Sequence, residues 1–343
     1  MAEVKVAILG LERLGASFGL ALKRYMQSKD ARHSFTIVGH DERGFNGKYA
    51  KRERAIDAVS SSAVDAVEGA HIILLASAYH RAEPLYEAIG PHLQPGAVVL
   101  DATPLKRPAI GWAAQYLSST PETAAYMVGF TPVLNPAVMF EANTEVEQAR
   151  ADLFDKGTFI LAPAPNCPPE AVDLATEVAR IVGADVHFMD PDEHDGLIAA
   201  MEGVPAALAV ALFLSFLGSE GWDDMRRLTN PSFGLLTNQL RFQHPNALWA
   251  LLHYNRQNTA RHLTRLIDTL SELRDTLQEE EDGLGIEAAV ERATREYEEW
   301  EANRLANRWE KEKDSTELPE TNMLSQMGGM LFGRRKPRKD DED

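Results

Sequence analysis

Val4-Lys5-Val6-Ala7-Ile8-Leu9-Gly10-Leu11-Glu12-Arg13-Leu14-Gly15-Ala16-Ser17 is the stretch whose reading decides the fold. Apart from Lys5, its first six residues are apolar and rich in β-branched side chains, as suits a strand covered on both faces of a parallel sheet. Gly10 ends that strand, and Leu14, Phe18, Leu22 and Tyr25 then recur at helical spacing. Phe35-Thr36-Ile37-Val38-Gly39-His40 reads as a second buried strand and stops at Asp41. Strand, glycine turn, helix and a second strand closed by an acid form a dinucleotide-binding βαβ unit. In such a unit the helix amino terminus faces a pyrophosphate and the acid takes the adenosine ribose. Gly10, Gly15 and Asp41 are the predicted cofactor contacts, and the predicted cofactor is NAD, with NADP as the alternative.

One residue departs from the fingerprint. The middle glycine, which lets backbone approach the pyrophosphate, is replaced by Glu12. At an effective dielectric near 20 and roughly 5 Å, one like-charge contact costs about 3 kcal/mol, on the order of a hundredfold in affinity. Two ways of relieving it are open: Arg13 beside it offsets part of the charge, or Glu12 swings out to solvent. A triphosphate-binding loop is excluded more plainly, because Ala16-Ser17 stand where such a loop needs lysine.

At 343 residues the chain accommodates two cores, and 44% hydrophobic content is ordinary for a globular protein. A net charge of −17 argues against a general nucleic-acid binder and against a basic membrane-surface protein. The single cysteine, Cys167, excludes an intramolecular disulfide framework, so a cytoplasmic protein is expected. No signal peptide is expected ahead of a strand that starts at Val4. The apolar run Gly203 to Gly218 is shorter than a membrane span and contains Pro205, which suggests a buried or interface helix and no membrane.

Further buried strands are read at His71 to Ala76, Ala97 to Leu100, Tyr126 to Phe130 and Thr158 to Ala162. Ligands in such sheets sit at the carboxyl ends of strands, which places Ser77, Tyr79, Asp101, Thr103 and Lys106 near the chemistry. The stretch from Asp41 to Arg54 is polar and rich in Arg, Lys and Gly, and Arg43 within it reads as a solvated loop charge, a contact with a 2′-phosphate being the alternative. The proline-rich segment Pro163 to Pro169 reads as a joint. The expected architecture is an α/β Rossmann-like N-terminal domain (1–165) and an all-α C-terminal dimerisation and substrate domain (170–313), with a disordered tail (314–343). Ile286, Val290, Ala293, Tyr297 and Trp300 form a stripe expected to pack in the core, a second subunit being the alternative. Met, Leu and Phe followed by a basic run over 323–339 offer a segment that folds on a protein partner. No metal-binding set is assigned.

In order and spacing, these blocks resemble the prephenate/arogenate dehydrogenase family over roughly Val4 to Ile267. Gly10-Leu11-x-x-x-Gly15-x-Ser17 is similar to the family's GLGLIGGS, and Gly39-His40-Asp41 follows it. Asp101-x-x-x-x-Lys106 resembles DxxSxK, and Val128-Gly129-x-x-Pro132 resembles VGGHPMAG. Glu193-His194-Asp195 introduces the apolar helix, and Pro245-x-x-x-Trp249 followed by Asn255 completes the set. The resemblance adds Leu11 and Ser17 to the cofactor contacts. It implies a homodimer through the helical domain, a small carboxylated ligand, and oxidative decarboxylation of prephenate or arogenate with NAD(P), a step of tyrosine biosynthesis. It also implies a catalytic histidine, an assisting serine and a carboxylate-binding arginine. Here the histidine position holds Thr131 and the serine position Pro104, so the usual reactive groups are replaced. Lys106, His194 and Arg241 are the candidates to stand in for them, although His194 equally suits a structural hydrogen-bond set at a helix start. Two readings follow: a dehydrogenase acting on these or another carboxylated substrate, and a catalytically inactive paralogue serving as ligand sensor or assembly partner.

Overall fold

The computed structural model describes residues 2–118, 120, 123–279 and 283–308; the expected tail lies outside them. The sheet has eight strands: β1 (Ala2–Leu9), β2 (His33–His40), β3 (Ala58–Val59), β4 (Ile72–Leu75), β5 (Val98–Asp101), β6 (Tyr126–Val133), β7 (Thr158–Pro163) and β8 (Asp185–Phe188). They lie in the order β3-β2-β1-β4-β5-β6-β7-β8. β7 runs antiparallel to β6, β8 runs parallel to β7, and the other neighbours are parallel. The chain reverses its direction of travel across the sheet between β1 and β4, and a crevice opens at the strand ends there.

Helices α1 (Arg13–Met26), α2 (Gly44–Arg52), α3 (Ala63–Val67), α4 (Ala82–Ile89), α5 (Lys106–Tyr116) and α6 (Pro169–Ile181) accompany the sheet. One face is covered by Phe18, Ala21 and Leu22 of α1 and by Ala171, Ala175 and Val178 of α6. There Phe18 meets Phe130 and Phe154 edge-on, while Phe130 and Phe159 stack at 4.0 Å. The other face is covered by Ala82, Tyr86 and Ile89 of α4 and by Ala109 and Trp112 of α5.

The polar stretch after Asp41 contains α2, whose Asn46, Gly47 and Ala50 are buried, with Arg43 just ahead of it. The domain joint also shifts. Pro163 to Pro169 is a turn within the sheet domain, because α6 packs on the core and β8 extends the sheet beside β7. Pro169 sits at the first turn of α6, where its missing N–H has no helical partner to lose. The sheet domain therefore runs to Phe188 and not to 165.

The helical part comprises α7 (Pro191–Ile198), a π turn (Ala199–Gly203), α8 (Val204–Phe216), α9 (Trp222–Met225), α10 (Pro231–Leu236), α11 (Gln239–Phe242), α12 (Pro245–Tyr254), α13 (Arg256–Glu279) and α14 (Leu284–Leu305). Asp190 caps α7 by accepting the N–H groups of Asp192 and Glu193. The apolar helix is longer than its run of apolar residues: Pro191–Phe216 is continuous over 26 residues and is long and apolar enough to cross a membrane by length and composition alone. Its first turns, however, carry His194 and Asp195 buried against the sheet domain, which ties it into the globular fold. Leu214 remains exposed on α8, as do Val290, Tyr297 and Trp300 on α14, so the α14 stripe does not pack in the core of its own chain.

Gly15 approaches Gly10 so closely that a Cβ on it would stand 1.9 Å from the Gly10 carbonyl oxygen. Gly15→Ala is expected to displace the turn and cost about 3 kcal/mol, read as a lowered midpoint of denaturant unfolding with unchanged slope.

Candidate active site

Gly10 adopts φ +98°, and a Cβ there would lie 2.5 Å from the Ala76 carbonyl oxygen. Only glycine turns the chain from β1 into α1 this close to the end of β4. A cavity of about 600 Å³ opens at that point, lined on the sheet side by Gly10, Asp41, Ser77, Tyr79 and Thr131 and on the helical side by Glu202, Arg241 and His244. The Ser77 and Tyr79 hydroxyls are buried without a hydrogen-bond partner. Such orphaned groups carry a desolvation penalty until a polar ligand meets them. Burial also pushes the Tyr79 phenol up, holding it protonated as a donor. These groups fit a dinucleotide laid across the crevice from the glycine turn.

The phosphate end is more crowded. Arg13 N–H, at the first turn of α1, donates to the Thr144 carbonyl at 2.8 Å. The buried Arg13 guanidinium holds the same loop through Glu141 and the Asn143 carbonyl. Glu12 lines the cavity 3.4 Å from Arg43. Burial raises its carboxyl, Arg43 opposes that rise, and Asp41 and Glu145 add to it. Arg43 faces Glu12 and is largely exposed to solvent, as a solvated charge should be.

The remaining predicted residues divide cleanly. Asp41 lines the cavity while its carboxylate accepts the N–H groups of Leu11 (2.7 Å) and Arg43 (2.8 Å), bracing the turn from below. Ser17, expected at the cofactor, is fully buried and accepts the Arg150 N–H at 2.9 Å, so it anchors the end of the loop that Arg13 holds. Lys106 does not line the cavity. Its buried ammonium donates to the Asp101 and Thr103 carbonyls, and burial lowers its pKa while Asp101 and Asp195 counter the shift. Asp101 in turn accepts from the Tyr86 hydroxyl and the Thr103 N–H, completing a closed structural network behind the cavity.

His194 is where expectation and structure meet most closely. Its Nδ1 lies 2.9 Å from Asp195 Oδ1 and its Nε2 lies 2.9 Å from Thr131 Oγ1. A carboxylate only accepts, so Nδ1 carries the hydrogen and Nε2 presents its lone pair to the Thr131 hydroxyl. Burial lowers the imidazole pKa, with Lys106 adding to the fall and Asp195 opposing it. Asp195 is itself fixed, since its carboxylate accepts the Lys106 and Arg107 N–H groups at 2.7 and 2.9 Å. The result is a chain from Asp195 through His194 to Thr131, whose last hydroxyl borders the cavity beside Pro104.

The sequence reading missed Glu202 and the pair formed by His80 and His244. Those imidazoles stack at 4.5 Å across the cleft between the sheet domain and α12. A histidine just before Pro245 at a helix start was the available signal, because its Nδ1 accepts the Asn246 N–H as a cap.

A nucleotide crevice closed by a helical domain that contributes an imidazole places the chain among two-domain dehydrogenase folds. It belongs to the prephenate dehydrogenase family: the family described as "Prephenate dehydrogenase, nucleotide-binding domain" matches residues 18–188. A prephenate dehydrogenase of Bacillus subtilis (strain 168) is 24% identical over 217 residues, which are 62% of this chain and 54% of that protein, so the match spans about half of that relative's length. Among solved structures, the prephenate dehydrogenase of A. aeolicus, in complex with hydroxyphenyl propionate and NAD+, superposes with a TM-score of 0.71 at 20% identity, covering 87% of this chain and 99% of that one. A Synechocystis arogenate dehydrogenase gives 0.63 at 19% identity, covering 87% and 100%. At such identities the structures establish a common fold.

Glu12→Gly is expected to tighten NADH binding about tenfold or more by removing a like charge from the phosphate end, measured by NADH fluorescence titration. An unchanged affinity would show that Arg43 already neutralises Glu12.

Proposed function

We propose that this protein is an NAD-dependent dehydrogenase that oxidises a ring hydroxyl carbon of a prephenate- or arogenate-type acid with loss of the ring carboxylate as carbon dioxide. The observation that carries this reading is the Asp195–His194–Thr131 chain ending at the cavity. The position that holds histidine elsewhere in the family is Thr131 here, yet an imidazole stands directly behind it. A threonine hydroxyl has no useful basicity near neutral pH, but one that donates to a neutral imidazole turns its own lone pairs toward a substrate hydroxyl.

Gly10, the amino end of α1, Asp41, Ser77 and Tyr79 would hold the dinucleotide, and when bound it supplies the hydride acceptor. NAD is favoured over NADP because the residue that follows β2 is an aspartate, Asp41, which suits a free ribose better than a 2′-phosphate. The substrate hydroxyl donates to Thr131 Oγ1, which loads electron density onto the carbon that gives up hydride. The carbon–carboxylate bond then breaks, and its electron pair completes the aromatic ring. Asp195 steadies the positive charge that gathers on His194 as the hydroxyl is polarised, and Arg241 supplies a fork of donors for a substrate carboxylate. Exposed apolar side chains on α8 and α14 support the homodimer that the family resemblance implies, and the cysteine usage supports a cytoplasmic setting.

The second reading, an inactive ligand sensor, is favoured by Glu12 and the Thr144 contact at the phosphate end and by Pro104, which offers no side-chain donor. NADH production with prephenate and with arogenate separates the two. Turnover establishes the dehydrogenase, whereas NADH binding without turnover establishes the sensor.

His194→Asn and Thr131→Val are each expected to lower kcat by a factor of about 10² to 10⁴. The pH profile should agree in sign. Because burial depresses the His194 pKa, the neutral imidazole prevails throughout the neutral range. Activity in wild type should therefore hold down to pH 6.5 and decline only below it, and loss of activity already above neutrality would contradict the assignment.

A further inference from the structure

Two charged groups on the helical side of the cavity have opposite signs and, among the described residues, no ionic partner: Glu202 on the π turn and Arg241 on α11. Most of the other charges around the cavity are engaged. Glu12 faces Arg43, Arg81 pairs with Glu42, and Asp41 holds backbone N–H groups. Glu145 lies with Thr144 at the phosphate end. Arg241 rests its guanidinium carbon 5.5 Å from the Phe242 ring centroid, and its N–H fork donates to no group within the described residues. Glu202 likewise has no hydrogen bond there, and it is exposed at the cavity. Its place is set by backbone geometry. The π turn carries Gly203, where a Cβ would meet Thr259 Oγ1 at 2.8 Å, so the turn is seated against α13 with Glu202 at the cavity wall.

A lone carboxylate and a lone guanidinium in one crevice complement a zwitterion. We propose that Glu202 is a specificity-determining residue that takes the ammonium group of an α-amino acid substrate while Arg241 takes its carboxylate, so that the site selects the amino-bearing arogenate type over the keto-bearing prephenate type. A keto acid offers Glu202 no donor and leaves its carboxylate unmatched, whereas an ammonium group forms a charge-assisted hydrogen bond with it. The proposal rests on the dehydrogenase reading for its substrates but not for its test.

Calorimetric binding of L-tyrosine and of 4-hydroxyphenylpyruvate, the amino and keto forms of the aromatic product, is measured on the full chain with NADH present. Steady-state rates with L-arogenate and prephenate accompany it. Wild type is expected to bind L-tyrosine at least tenfold more tightly than the keto acid, and to favour arogenate in kcat/KM by a similar factor. Glu202→Gln should weaken L-tyrosine binding about tenfold to a hundredfold and leave the keto acid unchanged or tighter, at an unchanged melting temperature. Arg241→Gln should weaken both. If wild type prefers the keto acid or binds neither product, or if Glu202→Gln leaves the ratio where it was, the proposal is overturned. Should neither substrate be turned over, the dehydrogenase reading falls, and the product-binding ratio still decides the role of Glu202.

Discussion

The arrangement of this molecule hangs on one buried carboxylate. Asp195 is 5% exposed, and a charge so placed would be costly without close partners. It finds them at the start of α5, whose own cap residue, Leu105, has no side chain able to accept. Two N–H groups of that helix point at Asp195, and the positive end of the helix dipole favours the charge. A helix of the sheet domain is thus capped by a residue of the helical domain. The Asn255 side chain, between α12 and α13, adds a bond to the Asp195 carbonyl at 2.7 Å. The same carboxylate sets the tautomer of His194, so the contact that joins the two domains also orients the imidazole behind the cavity.

The phosphate end obeys a different constraint. Arg13 is 5% exposed and draws the loop that includes Glu141, Asn143 and Thr144 over the amino end of α1, while Ser17 and Arg150 secure where that loop leaves. The helix end that would meet a pyrophosphate is thus partly met by the protein's own carbonyl. Glu12 and Arg43 face each other beside it. A dinucleotide seated there has to compete with these internal partners, in contrast to the Ser77 and Tyr79 hydroxyls, which stand without partners.

Much of the fold was legible because its signals are local. Val6 to Leu9 are fully buried in β1, Gly10 has the positive φ its place requires, and β4, β5 and β6 lie where apolar runs were read. The misreadings have equally physical causes. α2 hides its few buried residues among Lys and Arg side chains. The prolines before α6 look like a linker, although one of them starts a helix that covers the sheet. At the site, membership in the family was readable from the order of short blocks, whereas the meeting of Thr131 with His194 was not: the two are 63 residues apart and come together only when the domains close. Lys106 was misplaced for the complementary reason. Its number puts it at a strand end, but its side chain turns back into the core, where two carbonyls receive its ammonium group.

The π turn between α7 and α8 carries a geometric consequence of its own. One residue wound into a helix beyond its regular pitch advances everything after it by about 100° around the axis. Before the turn, the rod presents His194 and Asp195 to the sheet domain; after it, the face that this phase would have continued is swung aside, and Leu214 is left facing outward. A single continuous rod can thereby serve an interior seam with one flank and offer an apolar flank elsewhere without a break in its hydrogen bonding. Shortening it by one residue would bring the two flanks into line and set these surfaces in conflict.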